Sequence, residues 1–165
     1  MPYNLELKVK AHAHNGYEKI LQKIGAENKG LLKQKDIYYK IKNGLLKLRI
    51  ENGTFTLIKY LRDEKGKRWS NYELLNLAGK DPEKYLSEIL KAVTIVEKRR
   101  KLYVYKNTRV HLDTVKGLGK FLELETLLLG SRKDAEKRFA EIVEILNLDT
   151  TKQIRGSYKN LLNKK

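Results

Sequence analysis

Cysteine is absent from the 165 residues, so neither a disulfide framework nor a thiolate metal site is open to this chain. No run approaches the roughly 18 apolar residues of a membrane span, and the opening MPYNLELKVK is not a signal peptide. No membrane partner is expected, and a soluble, cytoplasmic protein is. Internal repeats, low-complexity segments and linkers are also missing, so residues 1–165 read as a single domain. Positive charge, by contrast, is abundant: 36 Lys and Arg against 20 Asp and Glu give a net +16. Such an excess calls for an acidic partner, whether nucleic acid, an anionic surface or a polyanionic small molecule.

The stretch Arg109 to Glu125, RVHLDTVKGLGKFLELE, organises the rest. At a period of two, Arg109, His111 and Asp113 share one strand face, with Val110 and Leu112 on the other. Gly117 and Gly119 follow, where a tight link calls for φ > 0. The next strand sets Glu123 and Glu125 against Leu122 and Leu124. An ordered set of acids on one polar face suits a hard cation bound through oxygen. The first strand, Tyr3 to Lys10, alternates in the same way, with Leu5, Leu7 and Val9 opposite Asn4, Glu6, Lys8 and Lys10.

Between these ends, Asp36 to Leu77 reads almost wholly as strand. Asn43-Gly44 and Asn52-Gly53 are two-residue hairpin signals, and the strand between them puts Lys47, Arg49 and Glu51 opposite Leu46, Leu48 and Ile50. Lys59 and Arg62 end the following strand on opposite faces, and a polar loop, Asp63 to Lys67, leads to a strand over Trp69 to Leu77. Ile95 to Tyr105 carries charge on both faces, Lys98 and Arg100 against Glu97, Arg99 and Lys101. Alternation alone does not choose between the two sets. Helices are announced by a capping box at Asn15-Gly16-Tyr17-Glu18, by Asp81-Pro82-Glu83 and by Ser131 to Asp134. In the second, Tyr85, Leu86, Ile89, Leu90 and Val93 form one apolar stripe. A short last helix carries Tyr158, Leu161 and Leu162. His12 and His14 fall in a connection and are read as loop histidines.

About eight strands joined mostly by short turns form a barrel or a sandwich. Amphipathic helices need an apolar surface to cover. The apolar strand faces therefore point outward beneath the helices, and the polar faces enclose a lumen. Charges enclosed in this way must be paired or liganded. The bases fit a bound polyanion and the acids fit accompanying cations.

The order NLELK, LKLR, LIKYLR, SNY, VEKRRKLY, RVHLDTVKGLGKFLELE and SYKNLL resembles the CYTH family, the triphosphate tunnel metalloenzymes, and most of all its class IV adenylyl cyclase branch. The resemblance runs from Asn4 to Leu162. It implies an α+β fold, a closed eight-stranded antiparallel barrel with helices outside, and a triphosphate substrate handled with Mg²⁺ or Mn²⁺. It assigns Glu6, Glu123 and Glu125 to the metal, with Asp113 as a further ligand or as the acceptor of a proton. Lys8, Lys47, Arg49, Lys98 and Arg100 would contact phosphate oxygens, and Arg109 would neutralise more of the anion. For the strand ending at Arg62, the family pattern supports either Lys59 or Arg62. Many members begin E-x-E-x-K, whereas Asn4 stands here in the first acidic position and offers an uncharged oxygen.

Three functions follow as expectations. The first is cyclisation of ATP to cAMP and pyrophosphate. The second is hydrolysis of inorganic or thiamine triphosphate by the same residues. The third is a module that binds RNA, nucleotide or polyphosphate. Inward acids oppose the third, because they repel phosphate unless metals intervene, and nucleic acid is accordingly disfavoured as a partner. A monomer or a homodimer is expected.

Overall fold

The computed structural model describes residues 3–62 and 69–164, with the side chains of residues 61, 62 and 69 left outside that description. The expected polar loop at Asp63 to Lys67 lies outside the described residues. The strands are β1 (Tyr3–Lys10), β2 (Glu27–Tyr39), β3 (Leu45–Glu51), β4 (Thr54–Arg62), β5 (Trp69–Asn76), β6 (Ala92–Tyr105), β7 (Thr108–Val115) and β8 (Gly119–Leu127). They close into an antiparallel barrel in the order β1-β5-β4-β3-β2-β6-β7-β8. Closure removes every free sheet edge. Four α-helices, α1 (Asn15–Lys23), α2 (Pro82–Ser87), α3 (Arg132–Ile145) and α4 (Tyr158–Asn163), pack around it, and a 3₁₀ turn, Thr150–Lys152, precedes the last. None of the described helices is long and apolar enough to cross a membrane.

The main core lies outside the barrel, as the wrapping of polar and apolar faces requires. Leu5, Leu7 and Val9 of β1, Val110 and Leu112 of β7, and Leu122 and Leu124 of β8 pack beneath Leu21 of α1 and Ala135, Phe139 and Ile142 of α3. A second cluster gathers Ile37, Tyr39 and Leu48 under Leu86 of α2. The third joins Tyr38, Val96, Val115 and Phe121 to Tyr158 of α4. In β2, β6, β7 and β8 these four partners alternate in phase with Asp36, Lys98, Asp113 and Glu123. They therefore belong to the inner face, and α4 covers one end of the lumen.

Local signals account for most boundaries. Asn52 and Gly53, at φ 48° and 74°, make the two-residue turn between β3 and β4. Gly117 and Gly119, at φ 83° and 97°, carry the link from β7 to β8. Asp81 accepts from the Lys84 amide with Pro82 in the first turn of α2, and Ser131 accepts from the Asp134 amide at the start of α3.

Three expectations are corrected. The capping box does not form: His14 is the N-cap of α1 without a side-chain bond, and Glu18 turns to Lys101 of β6 at 2.9 Å. Asn43-Gly44 is not a two-residue turn, because five residues, 40–44, join β2 to β3. The apolar stripe of the second helix breaks up, since α2 ends at Ser87; Leu86 is buried, whereas Tyr85, Ile89 and Val93 are exposed. His14 lies in the connection before α1, as expected, and is buried, with Nε2 3.0 Å from the Phe121 carbonyl.

Candidate active site

The lumen holds a cavity of about 350 Å³ lined from all eight strands; β1, β3, β7 and β8 contribute only polar side chains, and β2, β4, β5 and β6 add apolar ones. Among the described residues six bases line it, Lys8, Lys47, Arg49, Lys98, Arg100 and Arg109, together with four acids, Glu6, Glu51, Glu123 and Glu125. The two-faced strand β6 resolves in favour of Lys98 and Arg100, which are buried, while Arg99 and Lys101 are exposed. Lys59 is turned to the outside, where it lies 3.6 Å from Glu73 on β5. The side chain of Arg62 lies outside the described residues. Asp113 does not line the cavity.

Two fully buried carboxylates stand behind the bases and hold them. Asp36 of β2 faces Arg49 of β3 in register and accepts from its Nε at 2.9 Å and its Nη2 at 2.8 Å. The ammonium groups of Lys98 and Lys47 reach the same carboxylate at 2.8 and 3.1 Å. Burial disfavours its charge, yet Lys47, Lys98 and Arg49 together hold the Asp36 carboxyl well below its usual range. Asp113 of β7 faces Arg100 of β6 and accepts two bonds from the guanidinium, both 2.7 Å. The Tyr158 hydroxyl donates to Asp113 Oδ2 at 2.6 Å. Here too burial is overcome, chiefly by Arg100, and the Asp113 carboxyl falls to about 2. Bidentate pairs of this kind fix a guanidinium plane before any ligand arrives.

Asp36 was not among the candidates from sequence. Its signal was present in the alternation Gln34, Asp36, Tyr38, but its meaning depends on the register with β3. The expected role of Asp113 as ligand or proton acceptor meets a carboxylate whose oxygens already accept from Arg100 and Tyr158. Burial and then the charge of Asp113 push the Tyr158 hydroxyl well above its usual range, so it stays a donor. Burial also holds the Lys98 ammonium well below its usual range, with Asp36 opposing. A phosphate arriving beside it would favour the charged form again.

Glu51 lies on β3 with Lys47 and Arg49, whereas the other lining acids, Glu6, Glu123 and Glu125, gather on β1 and β8. Glu123 faces Lys8 on one side and His111 on the other, and Glu125 faces Glu6 and Arg109. Glu123 Oε2 lies 3.6 Å from Lys8 Nζ, and Glu125 Oε2 lies 2.7 Å from Arg109 Nη2. Burial works against both carboxylates. Lys8 chiefly keeps Glu123 well below the usual range, and Glu125 is lowered by His111, when its ring is protonated, and by Arg109. Potential ligand atoms of His111, Glu123 and Glu125 all lie within 4.8 Å of one another. Among the described residues, Asn4 Oδ1, Arg109 Nε and His111 Nδ1 are buried with no hydrogen-bond partner. Burial, and after it the Arg100 charge, lowers His111, which favours a neutral ring. Two carboxylates and a neutral imidazole make a donor set that fits a divalent cation.

A closed barrel with bases fixed on one wall and a carboxylate cluster on the other defines a tunnel protein suited to a polyanion and a cation together. The chain matches the CYTH domain over residues 2–158 and belongs to that family. It is 29% identical over 174 residues to "Putative adenylate cyclase MJ0240" of Methanocaldococcus jannaschii, covering 95% of this chain and 97% of that protein. The structure of the PH1819 protein from Pyrococcus horikoshii is 26% identical, with a TM-score of 0.74, and covers 98% of this chain and 99% of its own. A Hippeastrum protein, "Putative adenylyl cyclase HpAC1", with a dominant triphosphatase activity, shares the fold at a TM-score of 0.70. It is 12% identical, with 99% of this chain and 96% of its own covered.

Proposed function

We propose that the protein is a divalent-metal-dependent enzyme that cyclises ATP to cAMP and pyrophosphate. One observation carries the choice of a nucleotide over a bare triphosphate: the lumen has an apolar, aromatic wall as well as a charged one. On β4 and β5, Tyr60 pairs with Tyr72 and Ile58 with Leu74, and all four line the cavity with Leu32 and Leu102 from β2 and β6. Tripolyphosphate has no surface for such a wall. A purine and its ribose do, through stacking and burial of apolar area.

In this reading Lys8, Lys47, Arg49, Lys98 and Arg100 donate to the phosphate oxygens. Arg49 and Arg100 are held in place by Asp36 and Asp113, so little reorganisation is needed as charge develops. The bond from the ribose 3′-oxygen to the α-phosphorus forms as the bond from that phosphorus to the bridging oxygen breaks. Arg and Lys stabilise the pyrophosphate that leaves. The hydroxyl proton passes to a cavity-facing carboxylate, and Asp113 serves by fixing Arg100. Glu6, Glu123 and Glu125 are the groups that would hold the cation, Mg²⁺ or Mn²⁺, which would supply charge neutralisation to the phosphates.

Triphosphate hydrolysis is the second reading, favoured by the activity described for the Hippeastrum protein of the same fold. ATP or tripolyphosphate with Mg²⁺ or Mn²⁺, scored separately for cAMP, pyrophosphate and phosphate, decides between the two. Tyr60→Ala sharpens the test. It should raise KM for ATP by about tenfold, the loss of one stacking contact, and leave tripolyphosphate turnover alone. Phosphate as the sole product, with Tyr60→Ala neutral toward ATP, would overturn cyclisation.

A second prediction asks whether the lumen or the outer surface takes the anion. Arg49→Ala should weaken triphosphate binding and turnover about tenfold or more, since a desolvated charge-assisted contact contributes on the order of 1.5–3 kcal/mol. Lys133→Ala, on the exposed face of α3, should change neither. Equal losses in both variants, measured by calorimetry and turnover, would place binding on the basic exterior.

A further inference from the structure

His111 is the one member of the candidate metal cluster that the carboxylate reading leaves without a task. It sits on the inner face of β7, 3% exposed, directly across from Glu123 in the β7–β8 register. Its Nδ1 is buried with no hydrogen-bond partner. The nearest acid atom, Glu123 Oε1, is 3.7 Å away, too far for a hydrogen bond. Native interiors seldom leave such an atom unsatisfied unless something absent from the protein alone completes it. The arrangement around it names the missing partner. Glu123 meets Lys8 through Oε2 and turns Oε1 toward the ring. Glu125 follows one pleat along the same face of β8, and ligand atoms of all three residues fit within 4.8 Å. A structural histidine would be expected to hydrogen-bond a backbone carbonyl, as His14 does with Phe121.

We propose that His111 is an inner-sphere nitrogen ligand, through Nδ1, to one divalent cation that it shares with Glu123 and Glu125, and that this nitrogen makes the site prefer a first-row transition cation to Mg²⁺. The inference rests on the reading of Glu123 and Glu125 as metal residues and adds a donor to it. Magnesium takes oxygen donors and keeps its waters, whereas imidazole suits the later divalent metals and Mn²⁺ accepts mixed nitrogen and oxygen sets.

The test uses Mn²⁺ and the intact protein, with and without a non-hydrolysable ATP analogue. Loss of the free-ion signal in electron paramagnetic resonance gives affinity, Mg²⁺ competition gives preference, and pulsed measurements detect nitrogen coupled to the bound ion. The expected result is Mn²⁺ bound with a nitrogen coupling that changes pattern when histidine is labelled with the heavy nitrogen isotope. His111→Ala should lose that coupling and bind Mn²⁺ about tenfold more weakly, with Mg²⁺ affinity nearly unchanged. The isotope experiment needs no variant, so a misfolded His111→Ala would not remove the test. Bound Mn²⁺ without histidine nitrogen coupling, still abolished by Glu123→Gln, would overturn the histidine ligand and leave the carboxylate site standing. No Mn²⁺ binding under either condition would overturn both.

Discussion

Glu125→Gln is expected to abolish most turnover, by about 100-fold, in a protein that melts where the parent does, and raising Mn²⁺ should restore part of the loss. Glu123→Gln should behave alike. Glutamine keeps the shape of the side chain and removes the charge that holds a cation. The two carboxylates project to the same side of β8, about 6.5–7 Å apart along the strand, close enough to share one ion or hold neighbouring ones. The opposite outcome is equally definite. If Glu125 serves only to pair with Arg109, 2.7 Å away, its neutralisation frees a guanidinium. Triphosphate would then bind more tightly without metal. Product formation and thermal melting across a Mn²⁺ titration distinguish the two. A fully active Glu125→Gln variant, or one that gains metal-free affinity, leaves a polyanion-binding module in place of a metalloenzyme.

Asp36→Asn should have the largest effect on stability. Its carboxylate is fully buried and holds Arg49, Lys98 and Lys47 together. Removing one side of a buried ion pair costs about 3–5 kcal/mol, a large part of the roughly 5–15 kcal/mol that keeps a domain folded. For a chain of this size the melting temperature should fall by about 10 °C. Tripolyphosphate should stabilise the variant more than the parent, because it supplies the anion that the three cations have lost. The acid limb carries the same signature. The Asp36 pKa is depressed on folding, so its contribution is fully present above the unfolded value, 3.8, and is lost as pH falls below it toward the folded value. Asp36→Asn should flatten the drop in stability below pH 3.8, read by urea unfolding. A parent-like acid limb and melting point in the variant would mean that Asp36 does not hold the basic wall together.

Much of the site was legible because the period of a strand is two. Glu6 and Lys8, Lys47 and Arg49, Arg109 and His111, and Glu123 and Glu125 each lie two apart, and the apolar residues between them had to face helices. What alternation could not supply was register. Asp36 opens a segment whose preceding residues, Glu27 to Lys35, show no clean alternation, because that half of β2 is held by its long pairing with β6. Only the five-residue link to β3 brings Asp36 opposite Arg49. Tyr158 was read as a member of an amphipathic helix, yet its hydroxyl enters the lumen wall, since α4 packs across the end of the barrel and not along its side. The stripe on α2 failed for a different reason: helical spacing means nothing past Ser87, where the helix ends. His111 was placed on the right face but drew no role, because only the structure reveals that its Nδ1 lacks a partner.

The lumen's own charges have a consequence for what it rejects. Among the described residues six bases line it, and the four lining acids together with Asp36 and Asp113 behind them match those bases one for one. Despite the +16 of the whole chain, the empty lumen is close to electroneutral and offers a lone polyanion little attraction. On the proposed function, cations that cancel Glu123 and Glu125 would expose the surplus of bases, and a bound triphosphate would in turn deepen the well for the cation. Linkage makes the two effects equal in free energy. On the proposed function, the barrel interior would work as a coincidence detector, giving RNA or polyphosphate without its cations little foothold inside.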